Sequence, residues 1–483
     1  MTTDTQAEAT TQAAPATEPA PAPETTIATE LAEFAYGLRF EDIPAAVVES
    51  AKRLVLDSLG IAFASGTFDF ARMATAAVDE LAGDEDGTVT VVGSGRRYSL
   101  RDAVLLNGLL VHGLDFDDTH PEGVIHASAS ALPTALGLAE QLRLSGRDLL
   151  TAYVAGLEVD ARLGMAARGG FHQVGFHPTG LLGAFGAAVV AGKLRGLSAQ
   201  QIAQAQGFVG SLASGSLEFL QTGAWTKRVH PGWAGVAGLT AASFAGQDFP
   251  SPPHIYEGRF GLYASHLGEA KEENLALCTA GLGERWETSR VAIKPFPACH
   301  FTHAFADAVL AIRAEHGITA ADVESIHCLI ADGEVKTVCE PLEAKRAPKT
   351  AYEAQFSVPY VAAASLVTGD FTLRELEPEA LGDPEILALA QKVSYEADPD
   401  SGFPALFSGE VRVTTTDGRV LRHREQVNRG ADERPLAKAD IDAKFQTTAT
   451  LACTQEQARR IAEAVGALDT CEDVTELTAL LRR

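Results

Sequence analysis

The chain has 483 residues, 46% of them hydrophobic, and a formal net charge of −25. This length exceeds what one hydrophobic core usually accommodates, so the sequence predicts two domains. The acidic balance argues against nucleic acid and anionic membranes as partners, because both require a basic face. A small anionic substrate stays compatible with it, provided that a local cluster of cations binds that substrate.

The N-terminal segment 1–27 is built of Ala, Thr, Pro and Glu and has no apolar core, so we expect a disordered tail. It contains no Lys or Arg, unlike signal and transit peptides. The six Cys form no CxxC pair, which favours free thiols in a reducing cytoplasm. No run reaches the roughly 18–20 apolar residues of a membrane span. We therefore expect a cytoplasmic protein.

Helical periodicity begins near Thr29 and dominates the first half of the chain. Asp42-Ile-Pro44 predicts a capped helix start, and the β-rich run 88–92 before Gly93-Ser-Gly95 predicts a small hairpin. Several runs are apolar nearly all round, which predicts buried helices with small contact residues. The helices predicted in this half cover 45–65, 99–114, 127–142, 146–164, 180–194, 198–212 and 232–245.

The pattern changes near residue 275. A strand is predicted over 323–331, and Asp417-Gly418 predicts a hairpin within 410–424. Helices are predicted between these strands and again from Lys438 onward. Their ranges are 303–316, 356–368, 385–394 and 454–465. The predicted fold is mainly α: a large all-helical domain (28–275 plus 433–483) with an inserted smaller α+β lid domain (276–432).

Titratable side chains are densest in one stretch, 112–126, which holds three His and three Asp. Such groups are costly to bury, so their density indicates chemistry rather than packing. One alternative is a metal site, although the spacing matches no closed ligand pattern. A metal-free acid/base site is the other, and a solvated loop with Asp118 and Thr119 capping the next helix would account for part of the stretch.

Three further clusters carry candidate groups. His177 precedes Pro-Thr-Gly at a predicted helix start, where the helix dipole favours a neutral imidazole and bound anions. The adjacent Lys227 and Arg228 could bind a carboxylate, and Lys294 could be a second anchor. For each cluster the alternative is an ordinary packing or surface role.

Two weaker candidates remain. Cys299 beside His300 could be a thiolate nucleophile, although neighbours in sequence need not meet in space. Tyr360 is a candidate phenol donor, with a packed helix aromatic as the alternative.

Taken in order, these motifs resemble the MmgE/PrpD family from residue 28 onward. The motifs that carry the resemblance are His112-Gly-Leu-Asp-Phe-Asp-Asp-Thr119, Gly175-Phe-His-Pro-Thr179, Thr226-Lys-Arg-Val-His-Pro-Gly232, Glu257-Gly-Arg-Phe-Gly261 and Lys294-Pro-Phe-Pro-Ala-Cys-His300. That family includes 2-methylcitrate dehydratase, cis-aconitate decarboxylase and iminodisuccinate epimerase. The resemblance implies a helical domain with an inserted lid, a homodimer, and a site between the domains without metal or organic cofactor.

The resemblance also implies a site. By similarity to the decarboxylase pocket, the matching residues are Asp115, Thr119, His126, His177, Lys227, Lys294 and Tyr360, while Cys299 stands where the mammalian decarboxylase has His. We expect catalytic roles for His126, His177, Asp115, Lys227 and Tyr360, and substrate binding by Thr119, Lys294, Arg228 and His300.

The predicted activity is a cofactor-independent lyase that acts on a small di- or tricarboxylate. A 2-methylcitrate dehydratase-like hydro-lyase is the main interpretation. An iminodisuccinate-type epimerase (an isomerase), a cis-aconitate-type decarboxylase and a metal-dependent hydrolase are the alternatives.

Overall fold

The computed structural model describes residues 25–83 and 87–483. Most of the predicted tail, residues 1–24, therefore lies outside the described residues. The first helix is Ile27–Gly37, and Thr26 caps it because its hydroxyl accepts from the Thr29 amide. The structure is mainly α-helical, as the periodicity predicts.

Most predicted helices of the first half are present, with ends shifted by a few residues. Their bounds are Ala45–Ser65, Asp69–Ala82, Leu100–His112, Ser128–Leu142, Gly146–Ala167, Gly170–Gln173, Pro178–Leu194, Ala199–Val209, His230–Ala245, Leu262–Leu267 and Glu272–Leu275. The role of Asp42 differs from the prediction. Asp42 ends a short 3-10 helix and accepts from the Arg39 amide, while Pro44 stands at the N-cap of the next helix.

Among the described residues of the second half, no helix is longer than the 14 residues of His303–His316. The helices of this half are His303–His316, Asp332–Val338, Leu342–Arg346, Ala351–Gln355, Val358–Thr368, Pro378–Leu381, Pro384–Ala390, Lys438–Ala449, Gln455–Gly466 and Thr475–Leu480. Short 3-10 turns occur at Phe40–Asp42, Glu218–Gln221, Trp225–Val229, Ala276–Cys278, Glu287–Arg290, His300–Thr302, Ala320–Asp322, Leu373–Leu376 and Leu468–Thr470.

The helix Pro178–Leu194 runs through the helical core and is buried along almost its whole length. A neighbouring pair of helices approaches closely through glycine. A Cβ on Gly232 would lie 2.2 Å from the Leu105 carbonyl oxygen, and one on Gly108 would lie 2.5 Å from the Cα of Gly232. Only glycine fits such a contact. It holds helix Leu100–His112 against helix His230–Ala245, and thus brings the ends that carry His112 and His230 together.

Within the described ranges, the strands form a small hairpin and a larger sheet. The hairpin pairs Val89–Thr90 with Arg97–Tyr98 in antiparallel register. The sheet has the order Val393–Ala397, Val323–Ile330, Gly409–Thr415, Val420–Glu425. Its first pair is parallel, while the other two are antiparallel. Gly418 turns the last hairpin with a φ of +85°, as Asp417-Gly418 predicts.

The edge strand Val393–Ala397 corrects one prediction. A helix was expected over 385–394, but the helix ends at Ala390 and an extended segment follows. This strand pairs on one side and is half exposed, so its sequence lacks the strong alternation of a core strand.

Two large hydrophobic clusters lie on either side of the candidate site. One is formed by residues between 28 and 293 and between 436 and 481, the other mainly by residues between 296 and 421. The C-terminal helices return to the first cluster. There the Lys444 ammonium lies 2.7 Å from Asp57 and donates to the Phe116 carbonyl. That the second region is an inserted lid domain stays a prediction.

Among the described residues, no single helix combines the length and apolar character needed to cross a bilayer. One bent pair, Ala45–Ser65 with Asp69–Ala82, meets the length and composition criteria jointly, with 86° between its axes.

Candidate active site

A cavity of about 40 Å³ lies between the two hydrophobic clusters. Six predicted site residues line it: Asp115, Thr119, His126, His177, Lys227 and His300. The rest of its wall is mostly apolar and includes Phe219, Phe301, Phe356 and Phe407. An outer cavity of about 420 Å³ shares His172, Leu217, Leu220 and Phe356 with it.

The charges at the cavity are organised around Asp115. Its carboxylate lies 2.7 Å from the Lys227 ammonium and 2.5 Å from that of Lys294. Burial opposes ionisation of this carboxyl, but the two ammonium groups outweigh it and hold the pKa of Asp115 well below its usual range. Burial likewise opposes charge on Lys294, yet Asp115 raises its pKa. The single carboxylate of Asp115 neutralises only one of the two ammonium groups. The trio of Asp115, Lys227 and Lys294 therefore keeps a net positive charge.

Local backbone geometry makes this trio possible. Asp115 follows the end of helix Leu100–His112 and adopts a left-handed φ of +51°, which Asp tolerates better than most residues. Thr119 and Ala292 exchange two backbone hydrogen bonds, of 2.9 and 2.8 Å. This bridge places Lys294, two residues later, beside Asp115.

His126 is fixed in one tautomer by its surroundings. Its Nδ1 lies 2.6 Å from the Asp118 carbonyl oxygen, which can only accept, so Nδ1 carries the proton. The lone pair is therefore on Nε2. Burial is the main cause that lowers the pKa of His126 well below its usual range, and Lys294 adds to it. His126 is a neutral acceptor at the cavity.

His177 stands at the N-cap of helix Pro178–Leu194, as predicted, and is 3% exposed. Its Nδ1 lies 3.1 Å from Nδ1 of His230. Its Nε2 is buried and has no hydrogen-bond partner among the described residues. Burial, followed by His230 and Lys227, lowers the pKa of His177 well below its usual range. This ring is also neutral.

The remaining groups of the 112–126 stretch support the cavity wall. The Asp117 carboxylate accepts from His112 Nδ1 at 2.7 Å, and His120 Nε2 lies 3.0 Å from Glu287. Asp118 accepts from the Ser128 amide at the next helix start, as a capping role predicts. Burial raises the pKa of Asp118 to about 7.

The metal alternative has one geometric candidate among the described residues. Ligand atoms of His112, Asp117 and His126 lie within 4.8 Å of one another. Two of these residues are already joined by the hydrogen bond between His112 Nδ1 and the Asp117 carboxylate, so these two atoms have a partner within the protein.

His300 and Cys299 form part of the opposite wall. The Asn428 side-chain amide lies 2.6 Å from His300 Nε2. Burial raises the pKa of the Cys299 thiol to about 12, so the group stays protonated and lacks the thiolate that nucleophilic catalysis requires. The environment thus opposes the nucleophile hypothesis.

Three predicted residues lie away from the cavity lining. Lys294 is fully buried behind Asp115. Arg228 donates to the Gly113 carbonyl, and its guanidinium packs between Phe70 and Tyr352, at 4.5 and 4.4 Å from their ring centres. The expected substrate contact of Arg228 is therefore replaced by a scaffold role.

Tyr360 requires the clearest correction. Its hydroxyl donates to the Glu375 carbonyl at 2.7 Å, and its ring belongs to the second hydrophobic cluster. The helix Val358–Thr368 is apolar nearly all round, so the sequence did not indicate which face meets the cavity.

Sequence reasoning missed several cavity residues. His172 and Phe219 line the cavity, and Asn428 contacts His300. The sequence did contain a signal for His172, because this residue lies five residues before His177. Phe219 and Asn428 have no distinguishing pattern in the sequence.

Comparison with known protein families shows which family the chain belongs to. The model described as the MmgE/PrpD N-terminal domain matches residues 29–274, and that of the MmgE/PrpD C-terminal domain matches residues 296–470. The chain belongs to the MmgE/PrpD family. The resemblance inferred from the ordered motifs is thereby confirmed.

Curated relatives match along nearly the whole chain. The cis-aconitate decarboxylases of Mus musculus and Homo sapiens are each 29% identical to it, over 95% of this chain and 93% and 95% of their own lengths. The cis-aconitate decarboxylase of Aspergillus terreus is 26% identical over 94% of this chain and 96% of its own length.

Proposed function

We propose that the protein is a lyase that releases CO2 from a small unsaturated polycarboxylate of the cis-aconitate class. The observation that carries this proposal is that the Lys227 ammonium and two neutral imidazoles, those of His126 and His177, line one cavity. The relatives named as cis-aconitate decarboxylases support CO2 release over dehydration, which was the main interpretation of the sequence.

The chemistry requires a fixed cation and a proton donor. A substrate carboxylate binds to Lys227 at the edge of the cavity. When the carbon–carbon bond to the departing carboxylate breaks, CO2 leaves and the electron pair stays on carbon, spread over the adjacent double bond. Fixed positive charge in a dry site stabilises that charge in the transition state. His177 then returns one proton to carbon.

The residues around the reacting carbon would limit the access of water to it. Phe219, Phe301 and Phe407 form an apolar wall against which neutral CO2 can leave. The outer cavity is the route by which substrate enters, since it shares part of its lining with the inner one. His126, with its lone pair on Nε2, is suited to accept a hydrogen bond or proton from the substrate.

The test follows the substrate by proton NMR in D2O. Cis-aconitate, 2-methylcitrate, citrate and iminodisuccinate are supplied separately, with and without EDTA. We expect cis-aconitate to lose CO2 and to gain one deuterium on carbon, at the same rate in both solutions. Loss of water from 2-methylcitrate alone would replace the proposal with a hydro-lyase, and deuterium wash-in without net conversion with an epimerase. Inactivation by EDTA would favour the metal alternative.

We also propose a homodimer, as the family resemblance implies. Two indoles near the start of helix His230–Ala245 support it, because Trp225 and Trp233 are 43% and 48% exposed. Large exposed apolar side chains of this kind are typical of interfaces. Light scattering coupled to size exclusion should give twice the chain mass of 50.8 kDa. The single chain mass would contradict the proposal.

A further inference from the structure

The contact between His177 and His230 constrains a proton. Their Nδ1 atoms lie 3.1 Å apart, a hydrogen-bond distance. Two neutral rings can hold this contact only if one Nδ1 carries a proton and the other a lone pair. The tautomer of His177 is therefore tied to that of His230, whereas the tautomer of His126 is fixed by a backbone carbonyl.

The cavity selects between the two arrangements. Nε2 of His177 is buried and, among the described residues, has no partner within the protein. An anionic substrate beside Lys227 offers acceptor oxygens, and a lone pair on Nε2 would repel them. With the proton on Nε2 instead, His177 donates to the anion and Nδ1 accepts from His230.

We propose that His230 is a positioning residue that keeps the proton of His177 on Nε2 when an anion occupies the cavity. This inference deepens the proposed function, because it makes His177 the donor and leaves His126 as the acceptor. His230 itself does not line the cavity, so it acts through His177.

The pair also accounts for the proton that decarboxylation consumes. When the Nε2–H bond of His177 breaks and a C–H bond forms, Nδ1 of His177 takes the proton from Nδ1 of His230. His230, which is partly exposed, takes one proton from solvent on its other nitrogen. Each ring breaks one N–H bond and forms one, so both stay neutral. The reverse shift, with water in the emptied cavity, restores the starting tautomers.

Neutral rings suit this environment. Burial, followed by His112 and Lys227, lowers the pKa of His230 to about 4. The titratable groups that face His177 are His230, Lys227, His112 and His126, and each of these lowers its pKa. A transfer that never creates an imidazolium avoids the cost of burying that charge.

The first experiment is independent of turnover. The thirteen His are labelled with nitrogen-15, and two-bond correlations report which ring nitrogens are protonated in the presence of tricarballylate, a saturated tricarboxylate without the double bond. We expect Nε2 protonation for His177 and Nδ1 protonation for His230. A proton on Nδ1 of His177 in this complex would overturn the inference, whether or not the protein decarboxylates cis-aconitate.

The second experiment uses two substitutions. His230→Asn keeps an N–H donor near the position of Nδ1, whereas His230→Leu removes it. We expect His230→Leu and His230→Asn each to lower kcat about tenfold or more with little change in KM, because an amide donates a hydrogen bond but cannot pass its proton on. Only His230→Asn should keep His177 protonated on Nε2 when tricarballylate is bound. The acid limb of the pH profile should move to higher pH in His230→Leu, because His230 lowers the pKa of His177.

The matched control is His316→Leu, at the end of helix His303–His316, which should leave kcat and the pH profile unchanged. Equal activity and equal pH profiles of His230→Leu and wild type would overturn the inference. Should His230→Leu fail to fold, His230→Asn and the labelled wild type still decide it: a His230→Asn variant with the kcat of wild type would contradict the proton transfer from His230.

Discussion

The two walls of the cavity are built in opposite ways. The wall formed by the 112–126 stretch, His177 and Lys227 is polar, and its groups are paired to one another at 2.5 to 2.7 Å around Asp115. The facing wall is largely aromatic, with Phe301, Phe356 and Phe407, and Cys299 on it is an uncharged thiol. Chemistry is thus concentrated on one side, while the other excludes water.

This difference explains why the sequence revealed one wall so much better than the other. Charged and imidazole groups are rare inside proteins, so a dense cluster of them is conspicuous. Aromatic side chains are ordinary core residues, and nothing in the sequence separates Phe407 from any other buried Phe.

The strongest test of the polar wall is Asp115→Asn. The two ammonium groups of Lys227 and Lys294 would lose their shared carboxylate while staying buried. We expect the free energy of unfolding to fall by about 3–5 kcal/mol, and activity to be lost with it. Urea denaturation and CO2 release measure the two effects.

The control for this variant is Asp442→Asn, which breaks an exposed ion pair with Lys438. It should change stability by less than about 0.5 kcal/mol. Similar losses in both variants would mean that the buried trio has no special role.

The two lysines, Lys227 and Lys294, should differ in how their substitution changes activity and stability. Lys227 lines the cavity, and Lys227→Met should raise the free energy of the transition state by about 2–5 kcal/mol through lost substrate charge pairing. Lys294 is wholly buried, so Lys294→Met should lower stability more than Lys227→Met does. Steady-state kinetics and thermal unfolding measure the contrast, with Lys271→Met, at an exposed lysine that lines neither cavity, as the control. Equal KM and kcat in Lys227→Met and wild type would remove Lys227 from the site.

A pH-dependent effect concerns Asp118. Its pKa is about 7 in the folded protein, against an ordinary value of 3.8. The folded state therefore retains a proton that the unfolded state releases, and this contribution to stability is lost as pH rises through about 7. Asn cannot ionise, so the Tm of Asp118→Asn relative to wild type should increase from about pH 5 to about pH 8. A constant difference in Tm would contradict a buried, protonated Asp118.

The smallest effect is expected on the facing side. Tyr360→Phe removes one hydrogen bond, to the Glu375 carbonyl, and should cost about 1 kcal/mol of stability. Its kcat should stay within about twofold of wild type, a change of less than about 0.5 kcal/mol in the barrier. A tenfold loss of kcat would mean that the Tyr360 phenol contacts the substrate in the cavity.

The hydrophobic periodicity of the sequence was sufficient to predict much of the fold. The helix Ala45–Ser65 matches its predicted bounds, because Pro44 precedes its first residue and Gly66 follows its last one. The strand Val393–Ala397 was missed because an edge strand lacks alternation on two faces. Tyr360 could not be oriented, since its helix is apolar all round. The contact between His177 and His230 joins residues 53 positions apart and depends on the packing of two helices, which no local pattern encodes.

The anchor of Lys444 on the Phe116 carbonyl joins residues separated by 328 positions. Ribosomal synthesis at about 5–20 residues per second would produce that lysine on the order of 20–60 seconds after the loop it holds. The 112–126 stretch, with its carboxylates and imidazoles, is therefore synthesised long before the later helix that anchors it. A nascent chain halted before Lys438–Ala449 would carry every cavity residue and still lack this anchor.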